Sequence, residues 1–283
     1  MSDSETVGKL LADQRREIVA MDKAVNKIIK LDQSREANLD KLEAELNKLE
    51  KGLAQSQFPE STYASLQFWI GNLRQSIEKS RHDLDRKFGS RLAELLAGLE
   101  IELQGQIPEL RAGIFTVEVD SVRNRVVLWF GPKQERLEVL ARSPELVAKA
   151  IRNQLKSLNS SDLNEQDFLK RCLAAYKRVI TLEGKGFGSP APISQLLAEL
   201  AFLMQGQKFM IDPDQKNYRG YSRVQLSFDL HRLASRRIEN LELRLITATR
   251  EKTTHRKNFL WVPQTKRGSG SYYSGLAFRE EHP

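Results

Sequence analysis

Residues 222–230 read SRVQLSFDL. Val224, Leu226, Phe228 and Leu230 take every second position, and Arg223, Gln225, Ser227 and Asp229 fill the places between. A period of two is the mark of a strand with one face buried. The stretch therefore predicts a strand, and the C-terminal third of the fold follows from it. Lys208–Ile211 before it, and Leu241–Leu245 and Asn258–Val262 after it, complete an expected antiparallel meander of four strands ending at Pro263.

In such a meander successive loops leave from opposite ends of the sheet. Residues 212–221 and 250–257 then share one end, which gathers Lys216, Arg219, Arg250, Lys252, Arg256 and Lys257, with Arg223 at the start of the strand and Tyr218, Tyr221 and His255 among them. Residues 233–240 and 263–274 share the other end, with Arg236, Arg237, Lys266, Arg267, Tyr272 and Tyr273. The segment GSGSYY, 268–273, reads as a flexible loop that orders on binding.

Charge supports that grouping. The 283-residue chain has a formal net charge of +8, and residues 215–267 alone carry 13 Lys and Arg against 4 Asp and Glu. A positive excess confined to one fifth of the chain points to an acidic partner. Cations interleaved with aromatic rings suit phosphate contact plus base stacking. The expected nucleic-acid-binding residues are Lys216, Arg219, Arg223, Arg250, Lys252, Arg256, Lys257, Lys266 and Arg267. An acidic protein surface is the alternative partner.

Upstream, Ile114–Val119 and Arg125–Phe130 alternate about a polar turn and read as a hairpin, with Glu135–Leu140 as a third strand. Ser143-Pro144-Glu145 opens a helix, with Ser143 as cap and Pro144 in the first turn. A second helix runs from about Asn164 to Arg178, capped by Asp162 or Asn164.

The stretch 180–194, ITLEGKGFGSPAPIS, has the glycines of a phosphate-cradling loop, Gly184, Gly186 and Gly188. The order is wrong for a Walker A loop, because Lys185 follows the first glycine and Ser189-Pro190 follows the last. Pro190 and Pro192 remove amides near the following helix, Ile193–Gln205, where an anion would bind. Glu183-Gly-Lys185 also matches the E-x-K element of metal-dependent nucleases, with Asp120, Asp162 or Asp167 as the distant carboxylate. The plainer reading is a Gly/Pro linker over 183–192, a turn between two parts of a domain. Four histidines lack metal-ligand spacing, one cysteine builds no zinc site, and Cys172 sits on an apolar helical stretch as a buried thiol. No metal site and no cofactor are expected.

The N-terminal third is helical. Val7, Leu11, Gln14, Ile18, Met21, Val25, Ile28, Asp32, Arg35, Leu39, Leu42, Leu46, Leu49 and Leu53 keep alternating steps of three and four, the seam of a coiled coil. Asp32 and Arg35 interrupt it mid-arm, where a register lock or a bend is expected. Pro59 stops the helix, and a second stripe runs from Leu66 to Leu103. Two helices joined by a short turn predict a long antiparallel helical hairpin. Leu39, Leu42, Leu46 and Leu49 on the seam, and Phe68 and Trp69 near the tip, are the candidate interaction residues.

The expected fold is therefore α+β: a coiled-coil hairpin arm over 1–104, then a mixed α+β domain over 105–283 with a C-terminal antiparallel sheet. Within the latter, 105–182 holds the β-hairpin and helices, and 193–283 a helix and the basic sheet. The lone cysteine, the missing secretory h-region and the lack of a long apolar run suggest a cytoplasmic protein with no membrane contact. The expected role is a non-enzymatic accessory subunit of a larger nucleic-acid-associated complex. Its arm would serve self-association into a homo-oligomer or docking on a larger protein subunit. The alternatives are a nuclease using Glu183 and Lys185, and a protein scaffold whose basic loops meet an acidic partner.

Overall fold

The computed structural model describes residues 3–56, 58–160, 164–251 and 255–280. The chain is α+β and divides into two compact units, 1–90 and 91–283.

The first unit is helical, with α1 (Asp3–Asp32), α2 (Arg35–Ala54) and α3, whose helix Glu60–Ala97 continues past the unit boundary. Where one long first helix was expected, the chain turns back at Gln33-Ser34. Lys27 pairs with Glu45 at 3.0 Å, and the methyl end of Met21 lies against Gly52, so α1 runs antiparallel to α2. Asp32 and Arg35, the polar pair in the seam, face each other across this turn through two hydrogen bonds. They break the stripe because the chain bends there.

Helices α2 and α3 are also antiparallel. Arg74 reaches Asn47 and Glu50, Arg81 reaches Asp40 and Glu43, and Lys87 reaches Glu36, so each advance along α3 matches a retreat along α2. Leu39, Leu42, Leu46, Leu49 and Leu53 are all buried, against Ile28 of α1 and Ile70, Leu73 and Ile77 of α3. Full burial of a leucine is worth about 1.5–3 kcal/mol. The exposed ion pairs add about 0–1 kcal/mol each and set register more than stability.

The second unit opens with a five-stranded antiparallel meander: β1 (Leu103–Gln106), β2 (Glu109–Ala112), β3 (Phe115–Asp120), β4 (Arg125–Phe130) and β5 (Glu135–Ala141). The β3–β4 hairpin and β5 match the sequence pattern, while β1 and β2 were not anticipated. Helix α4 (Pro144–Asn159) begins as its cap predicts, the Ser143 side chain accepting from Leu146 N. Helix α5 (Glu165–Leu182) is capped by Asn164; the other candidate cap, Asp162, lies outside the described residues.

The C-terminal part corrects the expected meander. Residues 222–230 are not a strand: α8 spans Arg223–Arg232, and Ser222 Oγ accepts from Gln225 N as its cap. Leu226, Ser227, Phe228, Asp229 and Leu230 are buried in succession. A helix buried on several sides shows no single apolar stripe, and chance alternation imitated a strand. Lys208–Ile211 is likewise helical, within α7 (Gln207–Ile211), after α6 (Ile193–Leu203).

The second sheet has the order β6 (Ala191–Pro192), β10 (Gly270–Glu280), β8 (Leu241–Thr247), β7 (Arg237–Ile238), with β9 (Leu260–Pro263) also paired to β10. Residues 270–273, expected as a loop awaiting a ligand, pair with β9, and the rest of β10 pairs with β8. Helices α5, α6 and α8 and strands β8, β9 and β10 share one core around Tyr176, Leu196, Leu200, Leu226 and Phe278. Trp261 of β9 packs edge-on against Phe130 of β4 at 5.4 Å. It fits only because residues 131 and 270 are glycines; a Cβ at either would lie 2.6 Å from its indole.

Candidate nucleic-acid interface

With 222–230 folded as a helix, the basic residues distribute differently from the meander grouping. Arg223 is part-buried and committed to the fold. It donates to Glu135 on β5 and to the carbonyls of Lys257 and Phe259. Arg250 and Lys257 are exposed, Lys257 on a 3-10 turn, Arg256–Asn258, that contacts α6. Arg256 lies on that same turn, and Lys252 lies outside the described residues. Lys266 and Arg267 are exposed on the tight β9–β10 turn, beside Gly113 and near Arg111 of β2. Arg111 also acts electrostatically on the Tyr272 hydroxyl, which burial pushes above its usual range.

Lys216 and Arg219 belong to a separate feature around the C-terminal end of α6. Phe202, Phe209 and Tyr218 form a continuous row of rings, with centroid separations of 6.5 and 5.8 Å and edge-to-face angles. The Arg178 guanidinium lies 5.8 Å from the Phe202 centroid. Lys208, Lys216 and Arg219 are exposed beside the row. Phe202 is 46% exposed and Tyr218 48%, which leaves ring surface open to solvent.

Local chemistry explains the row. Gln205, buried at the end of α6, clamps the loop by accepting from Arg219 N at 2.8 Å and donating to Arg219 O at 2.9 Å. That fixes Tyr218 one residue away. Asp214 caps the 3-10 turn Gln215–Asn217, and Lys216 pairs with Asp212 at 3.5 Å in solvent. Beneath the loop, Tyr221 donates to the buried carboxylate of Asp229, which Gln225 and Arg232 also hold. Burial raises the Asp229 carboxyl above its usual range and raises the Tyr221 hydroxyl as well. The network is fully paired and anchors the loop.

Sequence reasoning found Lys216, Arg219 and Tyr218 here but missed Arg178, Phe202, Phe209 and Lys208. Those four lie on α5, α6 and α7, and no spacing announces their meeting. The sequence also separates Lys216 and Arg219 from Lys257 less than the fold does. Lys257 stands on the turn that adjoins the start of α6, as Asn258 beside Ser194 shows, whereas the rings stand at its other end. Eleven residues at ~1.5 Å rise place roughly 16 Å between the two.

The glycine stretch is a helix stop. Gly184 has φ +64°, Gly184 N donates to Thr181 O and Lys185 N to Ile180 O, the two bonds of a Schellman cap on α5. Tyr176 pins the rest, its hydroxyl donating to Ser189 O and accepting from Gly188 N. Glu183 pairs with Lys185 at 2.8 Å and accepts from Gln195, and these hold its carboxyl below the usual range. Asp120, a candidate second carboxylate, is taken up by Arg123 and Arg125 in the β3–β4 turn. Among the described residues no three His, Cys, Asp or Glu side chains gather as a metal would need. Cys172 is fully buried, and burial raises its thiol far above the usual range.

In the first unit, Leu39, Leu42, Leu46 and Leu49 are occupied within the chain. Trp69 is half-buried against the same core, and Phe68 is 73% exposed. No described helix is long and apolar enough to cross a membrane. Comparison with protein-family models, with curated proteins and with solved structures gives no match.

Proposed function

We propose that the protein is a non-enzymatic accessory subunit of a nucleic-acid-associated complex, and that it contacts single-stranded nucleic acid at the Phe202–Phe209–Tyr218 row. The observation that carries this reading is the row itself: exposed rings bordered by Arg178, Lys208, Lys216 and Arg219. Exposed ring surface accepts bases of any sequence by stacking, and cations beside it meet the backbone phosphates. Lys266, Arg267 and Arg111 form a second basic surface, which a longer strand would reach. Sequence preference would be weak, since no helix presents clustered base-reading side chains. In the arm, Phe68 and the exposed Val7, Leu11 and Ile18 of α1 would dock a larger subunit.

One observation favours a protein partner instead. Met210 and Ile211 are 53% and 77% exposed next to the rings, and aliphatic side chains add nothing to base stacking. Fluorescence anisotropy of labelled single-stranded DNA and RNA across a salt series separates the two. The nucleic-acid reading expects affinity that falls steeply with salt, with a shallower slope in Lys216→Gln/Arg219→Gln. No binding at low salt, or a slope unchanged by the double variant, would transfer the surface to an acidic protein.

A further inference from the structure

The opposite end of α6 opens on a groove of about 390 Å³, lined by Lys185, Pro190, Pro192, Ser194, Asn258 and Ser274 among others. That is within the usual size of a small-ligand site. Helix α6 starts there without a cap. Pro192 precedes it and offers no side-chain acceptor, and no acidic residue stands in the first turn. The amides of Ser194 and Gln195 have no partner inside the helix, and the positive end of the helix dipole lies with them; the Ile193 amide is taken by the β6–β10 ladder beside the Gly275–Pro192 pair.

A second observation comes from β10. Tyr273 pairs with Thr247 and Gly275 with Ile246, so Ser274 is the extra residue of a β-bulge. Ser274 is only 6% exposed, and its hydroxyl has no hydrogen-bond partner. A buried hydroxyl without a partner is costly, and bulges recur beside binding sites. Lys185 brings an ammonium to the same groove, where it pairs with one oxygen of Glu183 at 2.8 Å while the other oxygen accepts from Gln195. The 3-10 turn carrying Lys257 closes the side formed by Asn258.

We propose that this groove binds one phosphate group, held by the first-turn amides of α6, the Lys185 ammonium and the Ser274 hydroxyl. A phosphate supplies the acceptor that the Ser274 hydroxyl and the free first-turn amides lack, it would share the Lys185 ammonium with Glu183, and the helix terminus favours its charge. The loop order fails as a Walker motif, yet it delivers Lys185 to a helix start by another path. Pro192 costs nothing here, because it precedes the amides that would bind. The site shares no residue with the ring row, so either proposal fails without the other. The phosphate belongs either to a small phosphomonoester or to the end of a nucleic-acid strand, and the test separates them.

The probes are inorganic phosphate and AMP, titrated calorimetrically into the full chain with chloride held constant, and an oligonucleotide with and without a 5′-phosphate, followed by anisotropy. Saturable phosphate binding is expected, weakened about tenfold or more in both Ser274→Ala and Lys185→Met, as loss of a charge-assisted bond predicts. Ligand-free Ser274→Ala should melt no lower than the parent, since its lost hydroxyl was unpaired; this shows that weaker binding is not misfolding. Preference for AMP over phosphate would identify the small-molecule source. Preference for the 5′-phosphorylated strand, dependent on Lys185, would identify the strand end. No saturable binding of any probe, or parental affinity in either variant, overturns the proposal.

Discussion

The two ends of α6 differ in polarity and in the means by which each would hold a ligand. At its start, backbone amides point outward uncapped, and one lysine and one buried hydroxyl join them. At its finish, carbonyls point outward and repel anions, so attraction there must come from the side chains of Arg178, Lys208, Lys216 and Arg219. The first arrangement is rigid and suits one oxyanion of fixed shape. The second is a set of solvated cations beside rings, which suits a polymer that slides and is sensitive to salt. One short helix thus separates a geometric anion site from an electrostatic one.

The harshest test of this contrast removes the helix's footing. Leu200 is fully buried in the core beneath α6, and Leu200→Ala should cost about 2–5 kcal/mol in urea unfolding. Both ends should weaken together in that variant. Independence at the two ends would mean that the helix is not what positions them.

Removing the rings should affect one end alone. Phe202→Ala and Tyr218→Ala are each expected to cost about 1–3 kcal/mol in single-strand binding, with phosphate titration unchanged. Equal loss of phosphate binding would merge the two sites into one. Replacing Gly184 by Ala places a Cβ in left-handed backbone at about 1 kcal/mol or slightly more. A lower melting temperature is expected, with the Lys185-dependent end perturbed and the ring row intact.

The smallest effect is a pH dependence. The folded Glu183 carboxyl is held below its ordinary value of 4.5, chiefly by Lys185. A depressed pKa contributes stability that is present above the unfolded value and is lost as pH falls through the folded one. Lys185→Met should therefore melt slightly below the parent at neutral pH and converge with it in acid. A gap that persisted in acid would show that Lys185 acts by packing.

Much of this was legible because some signals are local. Ser143-Pro144 opened α4 where a cap and a first-turn proline predict, and the alternation of 114–119 and 125–130 became the β3–β4 hairpin. Gly184 read as a turn and is one. The leucine seam of 39–53 was correct in face, though not in the number of partners, because a stripe records that it is buried but not by how many helices. What failed was decided by tertiary contacts. The stretch 222–230 alternates yet is helical, because the core buries α8 on several sides and leaves no single apolar stripe to read. The polar Ser271-Tyr-Tyr-Ser274 resembles a loop and lies in the best-paired strand of its sheet. The ring row is assembled from three elements, and no window of sequence contains it.

Trp261 carries a consequence for how this chain can vary. Its indole occupies the space that side chains at 131 and 270 would take, so a tryptophan at 261 requires glycine at both. Each glycine is also required on its own account, since a Cβ at 270 would lie 2.6 Å from the Val262 carbonyl oxygen and Gly131 has φ +65°. In related sequences a tryptophan at this position should be accompanied by both glycines, whereas the glycines should persist where the tryptophan is replaced.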